Sequence, residues 1–223
     1  PSAAASTLPA RNITIRPGMR DFYTQFIGPD FASIPDCATD EVPTEGRPCY
    51  PQSLDNPRSR VASIGFERVI TQGWFVAADY VHQHWTGLDR TVDLNAPTLF
   101  ERTAPGQVRS VAAADATRRI RPVNGGYRQI NVIENLGVAD YDGLQTTIGT
   151  RGSAKLQASL SYTLSKATNT TEPDGNGIGP NDVNRLGEDE RGPSLLDQRH
   201  RGVLALSYPF PYDITLGTVT QLA

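Results

Sequence analysis

No stretch of this chain comes near the run of about 18 consecutive apolar residues that a membrane-crossing helix needs, so a helical span is excluded. Cysteine is almost absent: Cys37 and Cys49 are the only two, with no CxxC pair and no Cys/His cluster, which removes zinc. Lysine is nearly missing too. Lys155 and Lys166 are the only lysines among 21 basic residues, which genome bias explains without any mechanism. Charge of one sign is also lacking, since 21 basic and 24 acidic residues leave a net charge of -3, dispersed along the chain. That speaks against nucleic acid as a partner. No serine lies in a G-x-S-x-G elbow. Asp174, Asn176, Asp182 and Asp189 do not form the regular ladder of a calcium loop and read as loop solvation. Neither a metal nor a cofactor is expected. No charged-then-apolar leader opens the sequence and Pro1 is not a start residue, so the chain is expected to be a piece of something longer.

Low hydropathy does not exclude a membrane. The mean hydropathy is -0.39, and 38% of residues are hydrophobic. A barrel strand needs only about 10 residues with alternate positions apolar. Residues 155–166 show this pattern. Leu156, Ala158, Leu160, Tyr162 and Leu164 share one parity, and Gln157, Ser159, Ser161, Thr163 and Ser165 share the other. Strand side chains alternate between faces, so one face is apolar and the other small, polar and uncharged. A soluble sandwich strand would carry Lys, Glu or Arg outward. Lipid on one side and a wet lumen on the other suit this composition better.

Residues 1–57 show little periodicity beyond a short extended stretch at 13–16. They read as a loop-rich segment, in which a Cys37–Cys49 disulfide is expected, implying an oxidising compartment. Residues 58–223 read as barrel. Ala62, Ile64 and Phe66 alternate with Ser63, Gly65 and Glu67; after a turn at 70–73, Trp74, Val76, Ala78 and Tyr80 alternate with Phe75, Ala77, Asp79 and Val81. Trp74 and Tyr80 stand near opposite strand ends, where interfacial aromatic girdles lie. From 84 to 127 the pattern dissolves. Further strands are expected at 140–150, 154–165, 199–208 and 213–222, with tight turns at 150–153 and 209–212. The stretch 128–135 looks extended but should prolong the 140–150 strand rather than cross separately.

Connection lengths set the orientation. Turns of about four residues alternate with gaps of about 43 and about 31 residues, the asymmetry of outer-membrane barrels, whose turns are periplasmic and whose loops are extracellular. The expected fold is all-β: an antiparallel meander of about six transmembrane strands, part of a larger outer-membrane barrel with long extracellular loops.

Several short motifs carry a resemblance. They are Ala139-Asp140-Tyr141-Asp142-Gly143-Leu144-Gln145, Arg151, Ser161-Tyr162-Thr163-Leu164-Ser165-Lys166-Ala167 and Asp197-Gln198-Arg199-His200-Arg201, with Asp93-Leu94-Asn95-Ala96-Pro97 upstream. Together, over about residues 58–223, they resemble the TonB-dependent outer-membrane receptors of the Oar-like type, which carry a carboxypeptidase-regulatory-like domain. The resemblance implies a parent barrel of the 22-strand type around a plug, in the outer membrane of a Gram-negative-type bacterium. It also implies import of a bulky or scarce nutrient, energised by the TonB complex acting through a plug that this chain lacks. The motif residues it marks are Tyr141, Leu144, Gln145, Tyr162, Ser165, Lys166, Asp197, Arg199, His200 and Arg201.

By parity, Glu67, Asp79, Gln145, Gln157 and Thr163 are candidates to face the lumen, where a wall or plug contact is the plainer role than substrate binding. Ser207, His200 and Asp197 could be imagined as a catalytic set, but without a nucleophile context no enzyme is expected. His200 within Arg199-His200-Arg201 reads instead as a strand-start cluster facing lipopolysaccharide phosphates or polar loop partners. Partners are therefore membrane lipid and lipopolysaccharide, a nutrient whose identity the sequence does not give, and no nucleic acid. The alternative is a secreted soluble β-sandwich binding or adhesion module.

Overall fold

Wherever apolar and polar residues alternate, the chain forms strand, because only an extended backbone places the two sets on opposite faces. The computed structural model describes residues 9–38, 49–71, 73–122, 125–150, 155–172 and 191–222. In chain order the elements are β1 (Arg11–Ile15), α1 (Arg20–Ile27), a 3-10 turn (Pro29–Ser33), β2 (Arg58–Thr71), β3 (Trp74–Asp93), α2 (Val111–Asp115), β4 (Tyr127–Thr150), β5 (Gln157–Asn169), β6 (Gly192–Pro193), β7 (His200–Phe210) and β8 (Ile214–Leu222). One sheet runs β2-β3-β4-β5-β7-β8, each long strand beside its neighbour in sequence. The pairs β2–β3, β4–β5, β5–β7 and β7–β8 are antiparallel. The chain is thus all-β in plan, a meander of six long strands. The shortest, β8, has 9 residues, within the range of about 9–11 that crosses a bilayer at a tilt.

The stretch 128–135 makes no crossing of its own; it opens the single 24-residue strand β4. Two expectations need correction. β3 does not end at residue 83 but continues to Asp93, because Val92 and Leu94 find a buried cluster to join. Residues 1–57 are not merely loop with a short extended stretch: that stretch is β1, and α1 and the 3-10 turn, which are not expected, follow it. The turn residues 151–153 lie outside the described residues, as do Asp174, Asn176, Asp182 and Asp189. The β7–β8 turn falls at 211–213, later than expected, with Tyr212 and Asp213 at φ 69° and 56°. Positive φ at successive turn residues matches the twist of the flanking strands.

Contacts divide the chain into two compact units; a break falls between Pro57 and Arg58, where the boundary is expected, but Gly87–Gly137 groups with the first segment rather than with the rest of 58–223. A sheet unit comprises Arg58–Thr86 with the described parts of Val138–Glu172 and Arg191–Ala223. A loop unit comprises the described parts of Pro1–Pro57 and Gly87–Gly137. Strands β3 and β4 run through both.

The loop unit has its own core of Ile15, Tyr23, Phe31, Ile34, Tyr50, Val92, Leu94, Ile120, Ile130 and Val132. β1 enters it by pairing parallel with the start of β4. Tyr50 is fully buried and remains satisfied there: its hydroxyl donates to the Arg16 carbonyl at 2.8 Å and accepts from the Met19 N–H at 2.7 Å. A disulfide joins Cys37 to Cys49, with Cα atoms 5.0 Å apart, next to the backbone bridge between Asp36 and Tyr50.

The segment Asp93-Leu94-Asn95 works as a clamp. Asp93 Oδ1 accepts from the N–H groups of Asn95 at 3.0 Å and Ile130 at 2.9 Å. The Asn95 amide donates to the Ile120 carbonyl at 2.8 Å and accepts from the Ile120 N–H at 2.8 Å. Arg118 then reaches Asp93 Oδ2 at 2.9 Å, the Asn95 carbonyl at 2.6 Å and Asp115 at 3.0 Å, and Arg128 closes on Asp115. At Asp115 burial acts to raise the carboxyl pKa, but hydrogen bonds from Arg128 and Arg118 outweigh it and hold the group below its usual range. The long connection after β3 is thus tied back to β4 by side chains.

Asn95→Ala leaves the buried Ile120 N–H and carbonyl unsatisfied, so it should weaken the loop unit by about 2 kcal/mol or more. Amide exchange should show lost protection at Ile120 and Ile130, with β5 and β7 unchanged. Glu134 predicts a pH effect. It is 6% exposed, its Oε1 has no hydrogen-bond partner among the described residues, and burial pushes its pKa from 4.5 up to about 7. The folded state therefore holds a proton that the unfolded state has lost across that window, and stability falls as pH rises from 4.5 to about 7. Limited proteolysis of the loop unit should accelerate over that range, and Glu134→Gln should flatten the response.

Candidate functional site

Register fixes which side chains share a face, because cross-strand partners point the same way. On one face of the sheet unit lie Glu67, Asp79, Gln145, Gln157 and Thr163. Gln145 sits directly opposite Thr163, Gln157 opposite Ser207, Glu67 opposite Ala77 and Asp79 opposite Gly65. Around them are Ser159, Ser161, Thr147, Ala205 and Gly217, and the Thr147 and Ser161 hydroxyls meet at 3.0 Å. Glycine does specific work on this face. The Tyr141 ring folds onto Gly143, the Asp79 carboxylate lies over Gly65, and the Phe75 ring lies against Gly149, so a Cβ at any of the three would collide or crowd. The five candidates line a wall of small polar groups. They do not converge on one point.

The opposite face is apolar and uncovered. Ile64 is 74% exposed, Leu160 47% and Leu216 66%, and Phe66, Trp74, Leu144, Ile148, Leu164, Leu204, Tyr208 and Phe210 are exposed with them. In water such a face would cost heavily; in lipid it is the required surface. Two aromatic rows frame it. Trp74 and Tyr208 lie toward the tight turns. Tyr80 and Tyr162 lie toward the other strand end, and Tyr162 is opposite Gly202, so each pair is six positions apart. Six residues of strand rise about 20 Å, comparable to the apolar band of an outer-membrane barrel.

Beyond the second aromatic row the same face turns polar. The Tyr80 hydroxyl donates to Asp142 Oδ1 at 2.6 Å, and His82 Nδ1 lies 2.9 Å from the same oxygen. His84 Nδ1 lies 2.6 Å from Asp140 Oδ1, while Arg191 pairs with Asp140 Oδ2. Tyr162 and His200 share a hydrogen bond of 2.7 Å. Asp140 and Asp142 stand within the motif Ala139–Gln145 and are not among the residues that the resemblance marks. Their signal was available: His82 and His84 carry the parity of Tyr80.

The motif residues occupy structural joints. The Ser165 hydroxyl donates to the Gln198 carbonyl at 2.8 Å, and the Ser165 N–H donates to the Arg199 carbonyl at 3.1 Å. Asp197 Oδ1 accepts from the Ala167 N–H at 2.7 Å, and its Oδ2 holds Arg199 at 3.2 Å. These bonds splice the exit of β5 to the entry of β7. Leu144 faces Leu164 on the apolar side, and Lys166 stands opposite Asp142. Arg199-His200-Arg201 is not one outward cluster. Arg201 pairs opposite Thr163 on the polar face, Arg199 is taken by Asp197, and His200 alone turns outward. His200 and Ser207 point to opposite faces, so the two do not meet as a catalytic pair.

A sequence model of a family described as an outer membrane beta barrel domain matches residues 3–216, and the chain belongs to that family. Comparison with curated proteins and with solved structures gives no match. The chain is a barrel domain of the cell outer membrane.

Leu160→Arg should be more damaging than Ser161→Arg. Position 160 lies on the apolar face at mid-strand, where a charge costs about 2–4 kcal/mol, whereas 161 lies on the polar face. Folding yield in detergent, read as heat-modifiable mobility of the protein, should fall for the first variant far more than for the second.

Proposed function

We propose, from its membership of the outer-membrane barrel family, that this chain is part of the wall of a TonB-dependent import barrel of the Oar-like type. The observation that carries the reading is the division of labour between the two units. The sheet unit has an apolar outward face and a small polar face fit to line a lumen. The loop unit builds a disulfide-tied, hydrogen-bonded body from connections far longer than a turn needs. Long extracellular loops with their own core suit capture of a bulky ligand, and a polar wall of short side chains suits contact with a plug. Glu67, Asp79, Gln145, Gln157 and Thr163 are wall positions toward that plug in this reading. A secreted sandwich module is disfavoured, since a sandwich needs a second sheet over its apolar face and none covers it among the described strands.

Import can be separated from mere barrel formation. Cells producing the full protein that carries this chain should lose uptake of its nutrient when TonB is removed, with the amount of folded barrel in the outer membrane unchanged. Growth on candidate nutrients at limiting supply identifies the cargo. Uptake that persists without TonB would leave an outer-membrane barrel of another kind.

A further inference from the structure

Register draws one row of polar side chains across the polar face of the sheet unit. The contacts of Phe75 with Gly149, His82 with Asp142 and His84 with Asp140 fix a single antiparallel register between β3 and β4, and the bond from the Leu94 N–H to the Ile130 carbonyl continues it. That register sets Asp79 opposite Gln145. Gln145 is opposite Thr163, and Thr163 is opposite Arg201. The four therefore stand side by side on β3, β4, β5 and β7, with a carboxylate at one end and a guanidinium at the other. Their neighbours on this face are apolar or already engaged. One row nearer the tight turns, Ala77 and Val203 are apolar, and the Thr147 and Ser161 hydroxyls meet at 3.0 Å. One row farther out, the Tyr141 ring covers Gly143, and the Ser165 hydroxyl donates to the Gln198 carbonyl at 2.8 Å. Among the described residues, the side chains of Asp79, Gln145, Thr163 and Arg201 make no hydrogen bond or ion pair, and Asp79, Gln145 and Arg201 are exposed.

Height gives the row its use. Asp79 precedes Tyr80 and Thr163 follows Tyr162, so the row lies level with the aromatic residues beside the long connections. That is the outer mouth of the lumen in the proposed function, on which this inference rests, and cargo arriving past the long loops meets this level of wall first. Three strand spacings separate β3 from β7, about 14 Å. An extended peptide of about four or five residues covers that distance. The geometry points to a binding site for a short peptide with free termini, laid across the strands, its ammonium on Asp79, its carboxylate on Arg201 and its peptide groups on Gln145 and Thr163. An amide side chain donates and accepts as a peptide group does, and an arginine fork matches a carboxylate. Glu67 stands diagonal to Asp79 on the same face, so the two ends of the row keep opposite sign. A single amino acid is too short to engage both ends. A neutral sugar fits poorly, because both charged groups would lose water without gaining a counter-charge.

The test uses the full protein that carries this chain, purified in a non-ionic detergent and titrated with tetra-alanine by calorimetry. N-acetylated tetra-alanine, tetra-alanine amide and a length series from di- to octa-alanine are the other probes. Tetra- and penta-alanine should bind best, and capping either end should weaken binding about tenfold. Asp79→Asn should erase the penalty for acetylation and keep the penalty for amidation; Arg201→Gln should do the reverse. A merely structural role does not produce that crossover. Heat-modifiable mobility shows that each variant is folded, and the capped peptides test the native protein whatever the variants do. Equal binding of free and capped peptides, no binding of tetra-alanine at millimolar concentration, or folded variants that keep both penalties would each overturn the assignment. Binding is measured without TonB. Terminus-dependent binding beside uptake that persists without TonB therefore overturns the import reading and leaves the peptide site standing.

Discussion

Everything in the sheet unit depends on one constraint: a strand exposed to lipid on one side and water on the other must alternate, and its backbone must find hydrogen bonds in its neighbours. Lipid offers no donors or acceptors, so the ladder has to run unbroken across the apolar band. The register does so from Gly143 to Gly149 against Ser159 to Ser165, and from Ser159 to Thr163 against Arg201 to Ala205. The glycines of the polar face serve the same end. With Gly143 beneath Tyr141 and Gly149 against Phe75, large rings lie along the wall instead of protruding from it.

The loop unit solves a different problem. Long connections are entropically cheap to extend but expensive to order. Ordering here comes from buried polar side chains as much as from apolar ones. Asp93 and Asn95 stand at the end of β3 and satisfy backbone groups at Ile120 and Ile130, far along the chain. Arg118 and Arg128 neutralise the carboxylates that this requires. Glu134 is the exception, a buried carboxyl whose Oε1 has no hydrogen-bond partner among the described residues, and the pH response of this unit follows from it.

The histidines show how one chemistry is reused by position. In a soluble enzyme, His82 beside Asp142 and His84 beside Asp140 would invite a catalytic reading. On the outward face of a membrane strand, next to Tyr80 at the edge of the apolar band, they serve the polar boundary between hydrocarbon and headgroup. The same holds for Tyr162 and His200. Placement relative to the two solvents decides what the pairs do.

The sequence by itself determined the strands, their faces and their membrane setting. Alternation in 155–166 and Trp74–Tyr80 on one parity needed no tertiary information, because face assignment is a local property of an extended chain. Short turns alternating with long gaps were equally plain in the spacing. The extent of β3 to Asp93, the fold within residues 1–57 and the clamp at Asn95 were not legible. Each depends on partners distant in sequence: β3 runs on to Val92 and Asp93, with Leu94 just beyond it, because Ile130 and Val132 belong to the same buried cluster, and Asn95 is a clamp only because Ile120 returns to it. Motif residues such as Ser165 and Asp197 were visible as landmarks, yet only the pairing of β5 with β7 showed that they are two sides of one joint. Local periodicity writes the wall; what ties the connections together is decided by long-range hydrogen bonds that no window of sequence contains.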